Sequence, residues 1–480
     1  MKAAAPHMEP ALTERDVVSF AIDSREVNAG DLFFAPSQPE YSNNCFNGDF
    51  EDATVYVVSA LENGAAAAVV RSDRFEEHRE QLLPHRHRLV FVGDVIKALQ
   101  DLAQGIYRQW NRPVVAITGS AGKTTAKELT AHVLGRSGRK ILRNIKNYNN
   151  GLGHPLTVLK LAADMTYDAA VLEMGMSTPM NEIARLCRIT PPDFAVELNV
   201  LPVHLEHLGS IEGVAKAKAE LVEGMKPGGT AILNGDDPFV LAMSDLAIGP
   251  VLTFGIDSAA DIRASEISFE RFGSTDFVLK TPLRNAKVSF PLNGRHNIAN
   301  ALAAAAVGHC FGMDAADIAK ALSTSNAPPQ RGEIIVFVDG FTVINDSYNS
   351  NPAALLSMVR TLVEGKSPGR KIVVAGEMLE LGHQAAEIHR DTGKAIAELG
   401  VDRLIGVRGF SRELIEGAKA AGVASADFAP DAVAAGEMLA AELTAGDVVL
   451  VKGSRGVQTE IVIEKLLEKF EREKSEAVKR

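Results

Sequence analysis

A short apolar strand that runs into a glycine-rich loop and then a helix constrains the fold of this chain more than any other feature. The five residues Val114–Thr118 are apolar and mostly β-branched, which is typical of a buried parallel strand. Gly119 and Gly122 follow, and apolar residues then recur at helical spacing from Lys123 to Leu134. A strand, a glycine loop and a helix in this order predict an α/β nucleotide-binding domain.

Strands and helices alternate in the rest of this central unit, and a smaller unit precedes it. Strand-like runs in the central unit are Ala169–Met174, Phe194–Val200 and Thr230–Leu233, and a helical pattern covers Gly213–Val222. The alternation predicts a mostly parallel sheet covered by helices. The smaller unit has strand-like runs at Asp31–Ala35 and Gly64–Val70, and a helix over Ile96–Trp110 would link it to the central unit.

A third unit is expected after the double proline Pro328-Pro329, because prolines of this kind interrupt regular structure. Its strand-like runs are Val336–Val338, Phe341–Ile344, Ile372–Val374 and Asp447–Val451, and a charged helix over Glu460–Lys474 closes it. The predicted fold class is therefore α/β with three consecutive domains, and the expected boundaries are 1–98, 99–327 and 328–480.

The composition excludes several classes of protein. Among 480 residues, 61 are acidic and 50 basic, and the net charge of −11 argues against a surface that binds nucleic acid. Three scattered cysteines support neither a disulfide framework nor a thiolate zinc cluster. No apolar run approaches the roughly 20 residues that span a bilayer, and Met1–Arg15 lacks the apolar core of a secretory signal. We expect a cytoplasmic protein without membrane insertion.

The glycine loop predicts a phosphate site. Its residues are Gly119, Ser120, Ala121, Gly122, Lys123, Thr124 and Thr125. Backbone N–H groups, the positive end of the following helix and the Lys123 ammonium would surround a phosphate, with the Thr124 hydroxyl on magnesium. Ile117 stands where a standard Walker A motif has its first glycine. The alternative is a glycine turn with an incidental lysine.

Two residues after strand-like runs suggest a metal site. Glu173 ends the run that begins at Ala169, and His204 follows the run that ends near Val200. Ligands of α/β sheets bind at the carboxyl ends of strands, and a carboxylate with a neutral imidazole suits Mg²⁺ or Mn²⁺. The alternatives are a charge at a helix start for Glu173 and an ordinary loop histidine for His204. We expect the two residues at the ends of neighbouring strands.

The central unit has further polar residues whose roles the local pattern suggests. Helical periodicity predicts that Lys218 is a solvated helix lysine. Asn149 and Asn150 could contact a ligand or form a turn. Asn297 and Asn300 are three residues apart, so on a helix they share a face and could meet a planar ligand such as adenine or cap the helix.

Two loops of the third unit follow strands and carry polar side chains. The segment Asn345–Pro352 holds small polar residues and one aromatic, which favours a ligand loop over a plain turn. The segment Lys452–Gly456 offers two cations, Lys452 and Arg455, to a carboxylate or phosphate. A surface loop without function is the alternative for this second segment.

These segments, in this order, resemble the Mur ligase family of peptidoglycan synthesis. The most specific strings are Asp-Ser-Tyr-Asn-Ser-Asn-Pro at 346–352 and Glu-Met-Leu-Glu-Leu-Gly at 377–382. The first unit lacks the family's Asp-Gly-His string after Phe-Phe-Ala, and carries Asn47–Phe50 in a longer insertion. The resemblance implies a first domain for a uridine nucleotide sugar, a central P-loop-type domain for ATP, and a Rossmann-like C-terminal domain for the amino acceptor.

The resemblance also implies roles for individual residues. Ser24 and Arg25 would contact the uridine diphosphate; Lys123 and Thr124 would bind phosphates and magnesium; Glu173 and His204 would ligate metal. Lys218 matches a family lysine that CO₂ converts to a carbamate, which would hold magnesium. Asn297 and Asn300 would lie near adenine, Arg331 would reach the γ-phosphate, and Asp346 would touch the nucleotide. The acceptor and peptide sites would include Asn149, Asn150, Asn349, Asn351, Lys452 and Arg455.

The implied reaction joins UDP-MurNAc-tripeptide to D-alanyl-D-alanine through an acyl phosphate and converts ATP to ADP, in a chain expected to be monomeric. Three alternatives differ in what they predict. Another amide ligase of this architecture, such as one that extends folate with glutamate, would need a different acceptor. A P-loop NTPase would hydrolyse ATP without an acceptor, and a non-catalytic nucleotide-binding scaffold would bind ADP without turnover.

Overall fold

Three sheets with helices around them make up the chain. A computed structural model describes residues 16–473 apart from 45, 47–49, 146, 177–180 and 203–207. The expected α/β class with three successive units is confirmed. Helix Val95–Trp110 runs from the first sheet to the second, so the expected boundary after residue 98 would fall inside it. That boundary and the one after 327 stay predictions.

The first sheet is small and parallel, with strand order β1-β2-β3-β4. Its strands are β1 (Ser19–Ala21), β2 (Asp31–Phe34), β3 (Ala67–Arg71) and β4 (Leu89–Val92). Its α-helices are Gln38–Asn43, Val57–Glu62, Ser72–Glu77 and Arg79–Leu82, with short 3-10 turns at Ala53–Tyr56 and Leu83–Arg88.

The central sheet has nine strands in the order β13-β12-β11-β10-β9-β8-β5-β7-β6. They are β5 (Val114–Thr118), β6 (Ile141–Arg143), β7 (Ala169–Glu173), β8 (Phe194–Glu197), β9 (Thr230–Asn234), β10 (Val251–Gly255), β11 (Ile262–Arg271), β12 (Ser274–Lys280) and β13 (Asn285–Phe290). Pairing is parallel except at β11–β12 and β12–β13. This antiparallel extension was not among the predicted strands, whereas the predicted parallel core is confirmed.

Both faces of the central sheet are buried, which explains the nearly continuous apolar sequence of β5 and β7. Successive residues of β5 belong to different cores: Val115 and Ile117 pack with the helices Lys123–Arg136 and Arg295–Cys310, and Ala116 packs with Glu182–Ile189 and Ile211–Glu223. The remaining helices of this unit are Gly153–Ala163, Pro238–Leu241 and Ala315–Ser323, with a 3-10 turn at Ala242–Leu246.

The third sheet has the order β14-β15-β19-β16-β17-β18, and only the β14–β15 pair is antiparallel. Its strands are β14 (Glu333–Val336), β15 (Thr342–Asp346), β16 (Lys371–Gly376), β17 (Arg403–Val407), β18 (Ala426–Ala429) and β19 (Val448–Lys452). Its helices are Pro352–Glu364, Ala385–Glu398, Ser411–Ala420, Ala432–Glu442 and Glu460–Lys469, with 3-10 turns at Gly382–Gln384 and Arg455–Val457.

Two predicted element boundaries in this unit are wrong. Strand β14 ends at Val336, because Phe337 turns inward and stacks on Phe341 with ring centroids 4.4 Å apart. The closing helix ends at Lys469 rather than 474, since Phe470 takes an extended conformation and packs edge-on against Phe341. In both cases the packing of aromatic rings against each other overrides the local pattern. No helix among the described residues is long and apolar enough to cross a membrane.

We predict that Leu302→Ala lowers the free energy of unfolding of the central unit by about 2–5 kcal/mol. Leu302 is fully buried between the helix Arg295–Cys310 and the sheet, so truncation leaves a cavity. Hydrogen exchange of the central sheet at increasing urea measures the change. Leu283, which is 81% exposed, provides the matched control, since Leu283→Ala removes the same atoms without a cavity. Equal effects of the two variants would contradict the prediction.

Candidate functional site

An asparagine that follows β8, the strand beside β5 in the sheet, fixes the shape of the glycine loop after β5. The backbone N–H of Ala121 donates to Oδ1 of Asn199 at 2.8 Å, and Nδ2 of Asn199 donates to the carbonyl of Ala121 at 3.1 Å. The N–H of Ser120 donates to the Asn199 carbonyl at 3.0 Å. Gly122 has φ +84°, and a Cβ there would lie 2.5 Å from Oδ1 of Asn300. Only glycine fits this position.

The helix Lys123–Arg136 begins directly after this loop, so its N-terminal N–H groups and its dipole favour an anion there. Burial lowers the pKa of Lys123, while the negative charge of Glu173 acts in the opposite direction. Nζ of Lys123 donates to the Gly119 carbonyl at 2.8 Å. The loop, the helix end and the ammonium can together bind the phosphates of a nucleotide.

Glu173 lies at the carboxyl end of β7, as expected, and it is buried. Its two carboxylate oxygens accept hydrogen bonds from the Thr124 hydroxyl and from Nδ2 of Asn149, each at 2.7 Å. The buried Asn144 fixes the Glu173 backbone, because its side chain accepts from the Glu173 N–H and donates to the Glu173 carbonyl. Oxygen donors suit Mg²⁺, so Thr124 and Glu173 could hold such an ion.

His204 lies outside the described residues. The strands that precede Glu173 and His204 are not neighbours, because β5 lies between β7 and β8. The expectation of neighbouring strands is therefore wrong, although both strand ends flank the phosphate loop. Among the residues that the structure describes, no group of three or more His, Cys, Asp or Glu side chains is placed to hold a metal. Mg²⁺ commonly binds through one or two carboxylates together with substrate phosphates.

The prediction that Lys218 is a solvated helix lysine is wrong. Its helix packs against the sheet, and Lys218 is only 3% exposed. Burial and the nearby charge of Lys123 lower the pKa of Lys218 to about 7. Lys216, two residues earlier on the same helix, is exposed. Helical periodicity did not predict this burial, because the alanines on either side of Lys218 and the apolar stem of the lysine itself all pack on the buried side of the helix.

Glu197 is a fully buried acid that sequence reasoning missed. It ends β8 beside Thr118, and neither carboxylate oxygen has a hydrogen-bond partner among the described residues. Burial raises the pKa of Glu197 well above its usual range, while the charges of Lys218 and Lys123 act to lower it. An acid at the end of an otherwise apolar strand was the available signal.

Asn297 and Asn300 share the buried face of the helix Arg295–Cys310, next to the phosphate loop. Nδ2 of Asn297 donates to the Asn293 carbonyl at 2.8 Å. His296 precedes them and contacts the third unit, since its Nδ1 lies 3.1 Å from the Ser357 hydroxyl. Burial lowers the pKa of His296 to about 4, so the ring is neutral near pH 7.

Residues of the third unit lie opposite the phosphate loop. The Arg331 guanidinium lies 4.1 Å from the centre of the Tyr348 ring, and its charge acts on Lys123. Nζ of Lys452 donates to the Asp346 carboxylate at 2.6 Å and to the Asn349 carbonyl at 2.8 Å. The loops after β15 and β19 are therefore joined by a buried ion pair.

Ser454 joins a third loop to these two. Its hydroxyl accepts from the Leu379 N–H at 3.0 Å and donates to the Ser350 carbonyl at 3.3 Å, and its N–H donates to the Glu377 carbonyl. The buried His389 accepts the Met378 N–H at 2.9 Å. The loops after β15, β16 and β19 thus form one connected surface, and neither Ser454 nor His389 was predicted.

One cavity of about 440 Å³ lies between the central and third units. Of the predicted site residues, it is lined by Ser120, Ala121, Gly122, Lys123, Thr124, Thr125, Asn149, Glu173, Asn297, Asn300, Arg331, Asp346, Asn349, Asn351 and Lys452. Asn199, His296, Tyr348 and Ser357 also line it and were not predicted as site residues. An asparagine just after β8 was the signal for Asn199, and Tyr348 is the aromatic of the predicted ligand loop Asn345–Pro352. No local pattern marks His296 or Ser357.

Other predicted residues do not line this cavity, apart from Asn351, which lines it and also caps a helix. Arg25 is exposed in the first unit and pairs with Asp23 at 2.6 Å, and Ser24 is its neighbour in the same turn. Asn150 accepts the Gly153 N–H at 2.9 Å and so forms the turn before a helix. Asn351 caps the helix Pro352–Glu364 by accepting the Ala354 N–H at 2.8 Å. Arg455 pairs with Glu460 at 2.5 Å.

Comparisons with known proteins identify the family of this chain. The family model of the Mur ligase middle domain matches residues 117–308, and that of the Mur ligase glutamate ligase domain matches 330–455. The chain is 32% identical to a Bacillus subtilis UDP-N-acetylmuramoyl-tripeptide–D-alanyl-D-alanine ligase, over 96% of this chain and 95% of that one.

Two solved structures share the fold over nearly the whole length. MurF from Acinetobacter baumannii superposes with a TM-score of 0.82 at 28% identity and covers 98% of this chain and 100% of that one. MurF ligase from Thermotoga maritima, solved in complex with ADP, gives 0.79 at 27% identity over 96% of this chain and 99% of that one. The chain belongs to the Mur ligase family.

Proposed function

We propose that this chain joins the peptide carboxylate of UDP-MurNAc-tripeptide to the amine of D-alanyl-D-alanine and converts ATP to ADP and phosphate. The observation that carries the proposal is a cavity with a phosphate loop on one wall and Arg331, Asp346 and Lys452 on the other. A transferable phosphoryl group and an acceptor can meet only where both walls are present. Full-length relatives named for this reaction support the choice of substrates.

The chemistry requires activation of the carboxylate. A carboxylate resists attack by an amine because its charge is delocalised and oxide is a poor leaving group. Transfer of the γ-phosphoryl group gives an acyl phosphate, the amine then attacks its carbonyl carbon, and the tetrahedral oxyanion collapses to the amide with loss of phosphate. No protein nucleophile is needed, so catalysis consists of positioning and charge stabilisation.

We assign roles in this reaction to the predicted site residues. Lys123 and Arg331 neutralise charge on the transferring phosphoryl group, and Asn297, Asn300 and Asp346 position the nucleotide. Thr124 and Glu173, with His204 and a carbamate on Lys218, would hold Mg²⁺, which when bound offsets phosphate charge. Ser24 and Arg25 are proposed for the uridine diphosphate, and Asn149, Asn150, Asn349, Asn351, Lys452 and Arg455 for the peptide and acceptor. Cytoplasmic location, a monomeric state and the two domain boundaries stay predictions.

Phosphate release measured with each substrate omitted in turn tests the proposal. We expect turnover only when ATP, UDP-MurNAc-tripeptide and D-alanyl-D-alanine are all present, since the acyl phosphate needs the first two and its breakdown to amide needs the third. A folate-type amide ligase would instead require a folate and glutamate. Equal phosphate release without any acceptor would indicate an NTPase, and ADP binding without any turnover would indicate a scaffold.

Lys123→Ala is expected to reduce turnover below detection, because the phosphate loop would lose its ammonium. The far-ultraviolet circular dichroism spectrum and the thermal midpoint should stay close to those of the wild type. The exposed Lys160 provides the control, and Lys160→Ala should keep full activity. Substantial ligase activity in Lys123→Ala would rule out the phosphate role.

Lys218→Ala is expected to lose activity and to regain part of it with added short carboxylic acids, which would replace the carbamate. The neutral Lys218 amine attacks CO₂ and releases one proton as the carbamate forms. With a pKa of about 7, this amine is mostly neutral above pH 7 and mostly protonated below it, so the carbamate should decline as pH falls through 7.

Two readouts separate this role from a structural one. A ¹³C NMR carbamate signal from ¹³CO₂ should be present in the wild type and in Lys216→Ala, whose lysine is exposed on the same helix, and absent from Lys218→Ala. Loss of activity without rescue, together with no carbamate signal in the wild type, would refute the carbamate.

A further inference from the structure

The turn after β17 contains an arginine in a strained conformation. Arg408 directly follows β17 and has φ +66°, a left-handed conformation that costs a side-chain-bearing residue roughly 1 kcal/mol or more. Its N–H donates to the Ala429 carbonyl at 3.0 Å. Glycine would adopt this conformation without strain. An arginine in this conformation therefore raises the question of what its side chain contacts.

The turn packs closely on the loop after β16. Gly409 has φ +50°, and a Cβ there would lie 2.1 Å from Oε1 of Glu377. The Phe410 N–H donates to that same oxygen at 3.1 Å. Both contacts fix the path of the backbone, so the direction in which Arg408 leaves the turn is set by the fold.

The Arg408 guanidinium extends towards the loop that follows β19. Nη1 donates to the Gly456 carbonyl at 2.7 Å, in the loop that follows β19. Because β16 lies between β17 and β19, the side chain crosses the end of β16. The exposed apolar side chain of Leu379 lies beside the same glycine, since a Cβ at Gly456 would be 3.0 Å from its Cδ1.

Arg408 is the least compensated of the three cations described on these loops. Lys452 is buried and lies 2.6 Å from Asp346, and Arg455 lies 2.5 Å from Glu460. The Arg408 side chain is 51% exposed, and its nearest acid, Glu377, is 3.8 Å from Nε. A guanidinium with donors to spare can bind a carboxylate in bidentate fashion.

We propose that Arg408 binds the terminal carboxylate of the dipeptide acceptor. This inference rests on the proposed function, which requires the dipeptide amine at the cavity beside Lys452. Strands β19 and β17 lie two spacings apart, about 10 Å, and the hydrogen bond to Gly456 brings the Arg408 guanidinium across to the loop after β19. Lys452 is the last residue of β19, and an extended dipeptide of about 7 Å with its amine beside Lys452 could place its carboxylate at this guanidinium. Leu379 and the half-exposed Phe410 provide apolar surface for its methyl groups.

Kinetics with two acceptors test this inference: D-alanyl-D-alanine, and D-alanyl-D-alaninamide, which lacks the carboxylate charge. In the wild type the amide should have the higher KM. Arg408→Gly should raise KM for the dipeptide about 10- to 100-fold, the usual range for a lost hydrogen-bonded charge pair, while KM for the amide changes little. The values of KM for ATP and UDP-MurNAc-tripeptide should stay unchanged.

Arg408→Gly also removes the backbone strain, so its thermal midpoint should equal or exceed that of the wild type. Arg412→Ala is the control, because Arg412 is an exposed arginine in the first turn of the helix that follows, and its guanidinium stacks on Phe428. This control should leave KM for both acceptors unchanged.

Two results would overturn the assignment of Arg408. One is an unchanged dipeptide KM in Arg408→Gly. The other is an equal rise for the dipeptide and the amide, which would mean that Arg408 only braces the loop at Gly456. A wild type without dipeptide-dependent turnover would overturn the proposed function and the inference together, so the two failures can be told apart.

Discussion

The carboxyl edges of two largely parallel sheets open onto one cavity, and nearly every functional contact depends on this arrangement. Parallel strands bring all their carboxyl ends to a single edge, so loops distant in sequence become neighbours. In the central sheet this gathers the phosphate loop, Glu173 and Asn199. In the third sheet it gathers the loops after β15, β16 and β19, which Ser454 and Lys452 hold together.

Buried charge is concentrated at the central edge. Lys218 and Glu197 are both almost completely buried, and each shifts the other's pKa in the direction that favours ionisation, against a larger effect of burial. A lysine whose pKa is about 7 has a substantial neutral fraction near neutral pH, and a neutral amine is the reactive form towards CO₂. The burial that makes Lys218 costly for folding is thus what suits it to the proposed carbamate.

The loops at the carboxyl edge of the third sheet combine close packing with strained residues, of which Arg408 is one. Gly376 and Gly453 allow β16 and β19 to end in contact with Thr459, because a Cβ on either glycine would lie within 2.7 Å of its Cγ2. On this closely packed base, Arg408 is held in a conformation that glycine would prefer. Such strain is stable only because the surrounding hydrogen bonds fix the turn.

The sequence by itself determined the units and the central motif: the strand Val114–Thr118, its glycine loop and the helix that follows are local patterns that survive in the structure. It also placed Glu173 at a strand end and Asn297 with Asn300 on one helix face. It did not predict the burial of Lys218, because helical periodicity does not show which helix face meets the sheet. Only the tertiary structure decided that the third unit's loops face the phosphate loop, that Glu197 lies beside Lys218, and that Arg408 reaches Gly456. These contacts join residues far apart in the chain, and their geometry comes from how sheets and helices pack, which no local pattern encodes.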